Sequence, residues 1–285
     1  MALAAESALG LVPPERATWA RTLLIEAQSV GAALAFLAPL AGPVRGTADA
    51  LIERITSIQE RFTGARVHPS YARVGGVAHA VPEQVLDDYI ALAASVDEAA
   101  GPLAVAVARD ASPHHGVARL TRDQAINLGT SGIVARASGL DLDLRRHDAA
   151  LAYPELADLL DRTVLSDGDV PARVDMLMAH VRTSTRLVAA CATRLRDLGP
   201  GPVDVPLPKV LRLPEGSSYA WLEGGLGIAG VLLVSTGEKT PWRMKIRSAS
   251  FATMQAMTVA LTGVPRSQLA TAVTSFPIVI GDVDR

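Results

Sequence analysis

Apolar residues recur three and four positions apart through most of the chain, and that spacing predicts helices. Trp19, Leu23, Leu24, Ala27, Val30, Leu34 and Leu37 mark one face of a helix that Pro13 and Pro14 open, where a missing N–H costs least. Leu51, Ile52, Ile55, Ile58 and Phe62 mark the next, from about Thr47, and Gly64 closes it. A further helix is expected from Pro82 to about Ala99 on Val85, Leu86, Tyr89, Ile90 and Val96. Thr121 and Gln124 form a capping box for a short helix, and Tyr153 to Leu165 also reads as helical. Asp169 caps a long helix to about Leu198, with Val174, Leu177, Val181, Val188, Cys191 and Leu195 turned inward. Gly199-Pro200-Gly201-Pro202 stops it. Two helices near Ser250–Leu261 and Ser267–Ser275 follow, then an apolar tail from Phe276 to Ile280. Met1 to Leu11 reads as the end of a helix without its beginning.

The period changes to two between Pro214 and Phe251. Ser218 to Glu223 reads as a strand, and Gly224, Gly225 and Gly227 supply a turn. Val231-Leu232-Leu233-Val234 is short, apolar and β-rich, so a buried strand is expected there. A turn at Thr236-Gly237-Glu238 leads to a third strand, Trp242 to Ser248. Its alternation puts Arg243, Lys245 and Arg247 on one side and Trp242, Met244 and Ile246 on the other. The expected fold class is mainly α with a small antiparallel β-sheet (α+β), in a single domain spanning residues 1–285. Three segments break both periods: Gly64 to Pro82, the glycine-rich loop Gly129 to Gly139, and the short charged run Asp141 to Arg146. No Gly-Lys-Ser/Thr follows the glycines, so that loop is no P-loop.

Composition narrows the picture. Only 4% of residues are aromatic while 49% are hydrophobic, so Ala, Leu and Val must fill the core. A net charge of −2 gives no general attraction to nucleic acid, which is not an expected partner. The one cysteine, Cys191, excludes a disulfide framework and a cysteine-ligated cluster held by this chain alone. Its place on the apolar face of the long helix makes it a core residue. Ala27 to Val44 is 18 residues without a charge, but Pro39, Gly42 and Pro43 interrupt it. Crossing a bilayer takes about 20 apolar residues, so a buried core helix is expected.

His68 is the most informative candidate for chemistry, in Arg66-x-His68 with Tyr71, Arg73 and Gly75-Gly76 just after. Imidazole titrates near neutrality and takes up a proton when a nearby centre gains an electron; a hydrogen-bonded loop histidine is the plainer alternative. Arg73 supplies a guanidinium for the same site or for a surface ion pair. His79, His114, His115, His147 and His180 have no ligand spacing and read as structural or solvated; no metal is expected in this chain. Arg243, Lys245 and Arg247 form either a solvated strand face or a docking face for an acidic surface.

Several of these stretches together resemble one family, the D-type polypeptide of bacterial NADH-quinone oxidoreductase (respiratory complex I), the 49-kilodalton subunit of mitochondria. The family pattern runs P-x-G-E-x-Y, Y-L-V-S-x-G, P-Y-R-x-K-I-R-x-P-x-F and G-E-x-D-R. Here stand Pro214-Glu215-Gly216, Tyr219, Glu223, Leu233-Val234-Ser235, Gly237, Pro241-Trp242-Arg243-Met244-Lys245-Ile246-Arg247, Phe251 and a terminal Gly281-Asp282-Val283-Asp284-Arg285. The His68 segment is similar to the family's R-x-H-H-x-Y-x-R-x-G-G-V-x-x-D-x-P, with Pro69 for the second histidine and Ala80 for the acidic residue.

The resemblance implies a hydrogenase-large-subunit-like fold and a subunit that binds no cofactor alone. It implies other complex I subunits as partners, above all the one holding the terminal iron–sulfur cluster, beside which His68 would sit. It further implies quinone at a shared site, with Val279 a residue of its cavity, and electron transfer coupled to proton translocation. The complex oxidises NADH, and NAD binding belongs to it. A peripheral place on the cytoplasmic side of the cell membrane follows. The departures favour a second reading, a non-catalytic structural or interaction paralogue. The family's quinone-headgroup His and Tyr lie in an N-terminal β-rich segment that this chain is expected to lack, and Pro43, Pro277 and Ile228 stand where the family carries acidic residues. A nickel–iron hydrogenase large subunit needs paired cysteines, which a single cysteine excludes.

Overall fold

The computed structural model describes residues 1–284; Arg285, the last residue of the terminal motif, lies outside them. Four helices lead the chain, α1 (Ala2–Leu9), α2 (Glu15–Leu37), α3 (Arg45–Thr63) and α4 (Glu83–Ala111). A two-stranded hairpin, β1 (Ala72–Arg73) and β2 (Gly76–Val77), interrupts them before α4. Short helices α5 (Arg122–Asn127), α6 (Gly132–Ala137) and α7 (Leu144–His147) precede the long α8 (Val170–Asp197). An antiparallel sheet follows, β3 (Gly216–Gly224), β4 (Gly227–Ser235) and β5 (Arg243–Arg247), in the order β3-β4-β5. Helices α9 (Ala249–Ala260), α10 (Leu269–Thr274) and α11 (Ile280–Val283) complete it. The α+β class read from the sequence is therefore what the chain adopts.

α8 is the axis of the core, with α2 and α4 packed along it and α3 closing the gap between them. Its N-terminus is set by Asp169, whose carboxylate accepts from Ala172 N at 3.0 Å, as the sequence indicated. Trp19, Leu23, Leu34 and Leu37 of α2 are buried, and so is Cys191 of α8. Two stretches, Glu15–Leu40 and Glu83–His114, are long and apolar enough to cross a membrane by length and composition; in this fold the first is the expected core helix. At the C-terminal side, Arg173 of α8 is fully buried and donates to Ala118 O (3.0 Å), Gly168 O (2.6 Å) and Ser275 Oγ (3.0 Å). Its guanidinium lies 3.9 Å from the centre of the Phe276 ring, fixing the chain end against α8.

The structure departs from the sequence reading in five places. The helix expected to end near Ala99 runs on to Ala111, through Pro102. An interior proline costs about 3 kcal/mol, but burying Leu103 and Val107 stabilises by roughly 1.5–3 kcal/mol each, so packing wins. The expected loop Gly129–Gly139 contains α6, whose residues are all buried. The irregular segment Gly64–Pro82 holds the β1–β2 hairpin. Tyr153–Leu165 is a 3₁₀ turn over Tyr153–Leu159 that becomes extended at Leu160, because Tyr153 is drawn inward to Glu26. The Val231–Val234 strand is buried only at Leu233; Val231, Leu232 and Val234 are half-buried, since α1 covers one face of the sheet. Register pairs Tyr219 with Leu232 and Leu232 with Lys245, so the cationic side also carries aromatic and aliphatic residues. On the opposite side, Trp242 and Met244 are exposed.

The sheet meets the helices through a backbone contact that requires glycine. A Cβ on Gly132 would lie 2.6 Å from Gly227 Cα, and Gly132 has φ 63°. Gly10 has the same φ but open space around it. Gly10→Ala should therefore cost only about 1 kcal/mol of left-handed strain, and Gly132→Ala at least about 2 kcal/mol, because backbone must also move. Urea denaturation of the two variants checks the difference.

Candidate functional site

The His68 segment is held from below by amide and aromatic side chains. Gln59 of α3 donates to Ala65 O (3.1 Å) and Arg66 O (2.9 Å), and accepts from Gln28 of α2 at 3.1 Å. Tyr71 is buried edge-on against Phe62 and donates to His79 O at 2.7 Å. Between these anchors His68 has φ 56° and is exposed. A non-glycine residue in the left-handed region is held there by its surroundings. His68 opens onto a cavity of about 670 Å³ whose floor includes Leu24 and Gly31 of α2, Ile52 and Ile55 of α3, and Leu226 at the β3–β4 turn.

The far end of this segment is clamped by a buried ion pair. Arg21 of α2 and Glu6 of α1 form a two-pronged contact at 2.6 and 3.0 Å. Arg21 also donates to Arg73 O (2.6 Å) and Gly76 O (2.8 Å), while Glu6 accepts from Gly75 N at 2.7 Å. The clamp thus grips the β1–β2 turn by its backbone and leaves the Arg73 side chain exposed. Gly76 lies against residues 203–205: a Cβ there would meet Val203 O at 2.1 Å, so only glycine fits.

A second buried polar cluster lies where α2, α6, α7, α8 and β3 converge. Arg145 donates to Asp143 (3.0 and 2.8 Å) and reaches Glu26 at 3.5 Å, and Tyr153 donates to Glu26 at 2.6 Å. Arg136 contacts Glu223 at 3.1 Å and Asp143 at 3.5 Å, and Leu144 N donates to Glu223 at 3.3 Å. Burial alone would raise the Asp143 carboxyl, but the Arg145 hydrogen bonds and the charges of Arg145 and Arg136 outweigh it and hold it well below the ordinary range. Burial, then the two guanidiniums, pushes His180 well below its ordinary value, so it is neutral. Neither ring nitrogen of His180 has a partner.

A family described as "Respiratory-chain NADH dehydrogenase, 49 Kd subunit" matches residues 50–211 and 205–285. The first of the D-type polypeptides of NADH-quinone oxidoreductase in Streptomyces coelicolor is 40% identical over 99% of this chain and 76% of its own length. The second such polypeptide of Streptomyces griseus is 40% identical over 99% of this chain and 74% of its length. Its counterpart in Salinispora tropica is 41% identical over 99% of this chain and 74% of its length. The chain belongs to this D-type family of NADH-quinone oxidoreductase.

Within this fold the sequence candidates fall in separate places. His68 lines the α2–α3 cavity, and Arg73 is on the same segment but not among the residues lining it. Val279 is exposed and donates its N–H to Ser250 Oγ at 3.2 Å. Its neighbours Ile278 and Ile280 line a different cavity of about 350 Å³, with Phe36 of α2 and Pro39 in the 3₁₀ turn just after it. The two cavities neighbour one another along α2: Ala32 lines the first and Ala35 the second, about 4.5 Å further along at 1.5 Å per residue. Arg247 donates to Ile228 O (2.7 Å) and Gly129 O (3.2 Å), so it ties β5 to α5's end; Arg243 and Lys245 remain exposed. Among the described residues no group of three or more His, Cys, Asp or Glu is arranged to hold a metal. His180, read as structural or solvated, is buried in the charge cluster. The sequence reading missed Glu6, Arg21, Glu26, Arg136 and Glu223 as buried groups; Arg21 and Glu26 are the two that carried a signal, charges within the apolar α2.

Removing one member of the clamp leaves the other charge buried and unpaired. Glu6→Ala should cost about 3–5 kcal/mol, and the Gly75 amide should exchange with deuterium faster relative to Leu34 in the core. Hydrogen exchange read by mass spectrometry, alongside urea denaturation, measures both.

Proposed function

We propose that this chain acts as the subunit of a NADH-quinone oxidoreductase that walls one side of the quinone site and presents His68 to a neighbouring subunit's terminal iron–sulfur cluster. The observation that carries this reading is the His68 segment: anchored at both ends, exposed at the histidine, and opening onto a large cavity with an aliphatic floor. Leu24, Ile52 and Ile55 suit the apolar body of a quinone, and the Gln28–Gln59 pair supplies polar groups at its wall. The bound groups supply the electron chemistry; this chain supplies position, an apolar surround and a proton-binding imidazole. Arg73 adds positive charge on the same segment. Val279, outside this cavity, would border the quinone path only at its far end. Arg243 and Lys245 would meet an acidic surface of another subunit, in an assembly placed peripherally on the cytoplasmic side of the membrane and coupled to proton translocation. The hydrogenase-large-subunit-like fold belongs to the same reading.

A non-catalytic paralogue is the competing reading, favoured by Pro43, Pro277 and Ile228 at positions where the family is acidic. The two separate on one measurement. An electron placed beside an imidazole favours its protonated form, so reduction takes up a proton and the midpoint potential falls as pH rises. In the assembled complex, His68→Met should abolish most of that pH dependence without preventing assembly. Redox titration at several pH values checks it; an unaltered slope in a correctly assembled variant rejects the redox role.

A further inference from the structure

The charges of the buried cluster do not balance. Glu26, Asp143 and Glu223 bring three carboxyls and Arg136 and Arg145 two guanidiniums, all 4% exposed or less. An uncompensated buried charge is costly, and a group so placed takes or loses a proton instead. The other titratable groups facing the cluster do not supply the missing positive charge. His180 of α8 is neutral. His147 of α7 is exposed to solvent, its Nδ1 2.9 Å from Asp143 O, and so lies outside the buried cluster. Tyr153 and Cys191 are both raised by burial and stay protonated and neutral.

Geometry decides which carboxyl carries the proton. Asp143 accepts the Arg145 fork together with the Arg145 backbone N–H at 3.0 Å, the surroundings of a carboxylate. Glu26 accepts a short 2.6 Å bond from Tyr153 and lies beside Arg145. Glu223 has the weakest donors, Arg136 at 3.1 Å, shared with Asp143, and Leu144 N at 3.3 Å. We propose that Glu223 is a proton-binding site: it is a neutral carboxylic acid at neutral pH, and exchanges its proton with solvent through one water held beside His180.

Burial, reinforced by the Asp143 charge and opposed by Arg136 and Arg145, raises the Glu223 acid above its ordinary range, in agreement. The water site is a cavity of about 10 Å³ among Arg136, Asp143, Asp161, Thr163, His180 and Thr183; Glu223 is not on its wall but is bonded at 3.1 Å to Arg136, which is. That is close to the smallest volume that holds one water. The two unpartnered nitrogens of His180 need a donor or acceptor there, and Asp161 and Thr163 are on its solvent side. In the exchange a water-borne proton forms an O–H bond on a Glu223 carboxylate oxygen; its release leaves the cluster one unit more negative. This site does not depend on the quinone reading.

Infrared spectra of the full chain test it. At neutral pH the wild type should show the carbonyl band of a protonated, buried carboxyl, and Glu223→Gln should lose that band. Because the folded-state value is raised, the contribution of Glu223 to stability is fully present below the ordinary glutamate range and declines as pH rises from there toward the folded value. Glu223→Gln, which mimics the neutral acid, should keep its thermal midpoint at neutral pH and lose that decline. On transfer to deuterated buffer the band should shift before the core amides of α2 exchange. A wild type without the band, a band that persists in Glu223→Gln, or a Glu223→Gln chain that fails to fold would each overturn the assignment. A band that shifts only together with the core amides would overturn the water route.

Discussion

The contact of Arg145 and Arg136 with three carboxyls at the centre of the molecule is the constraint on which the rest depends. α6 and α7 have six and four residues, far below the length at which a helix holds itself in water. Few aromatic side chains exist to wedge them in place. Arginine does that work because its planar fork offers five donors in fixed directions. Arg136 joins α6 to β3, and Arg145 joins α7 to α2. Such buried pairs add little net stability. What they contribute is position: alternatives that part a guanidinium from its carboxyl leave a bare charge behind.

The same device recurs at smaller scale. Arg21 fixes the β1–β2 turn through backbone carbonyls, Arg173 fixes the chain end, and Arg247 fixes the sheet edge to the loop before α6. In each case a long side chain from a regular element reaches irregular backbone and satisfies acceptors that would otherwise be buried unpaired. A core of Ala, Leu and Val packs helices well but gives loops nothing to bond with.

This explains which parts of the fold were legible in the sequence. Helices with an apolar stripe, α2, α3 and α8, announced themselves by spacing, and Thr121, Asp169 and Gly64 marked helix ends. The third strand followed from alternation and the second from its short apolar, β-rich run. What failed were segments whose structure is imposed from outside. α6 looked like a glycine loop because its glycine serves a neighbour's backbone, and α4 passed a proline because packing beyond it outweighed the local cost. Asp141 to Arg146 has the composition of a solvated run, and nothing in its own spacing says that Asp143 and Arg145 point inward to Glu26, more than a hundred residues earlier. His68 was singled out by the resemblance of its segment to the family pattern, since its own spacing suits a plain loop histidine equally.

α1 has a mechanical role beyond its eight residues. One side of it, Ala4 and Ala5, rests on Leu233 of the sheet, with Val74 of the hairpin turn packed into the same small cluster; the other, through Glu6, grips that turn. The helix therefore bridges the sheet and the hairpin turn, held to α2 by the Glu6–Arg21 pair. Pressure on the outer face of the sheet, where Tyr219, Trp221 and Lys245 stand exposed, passes through β4 to α1 and from there to the backbone five to eight residues beyond His68. The sheet and the turn beyond His68 are thus joined through one short helix, so neither can shift its packing without α1 losing a contact.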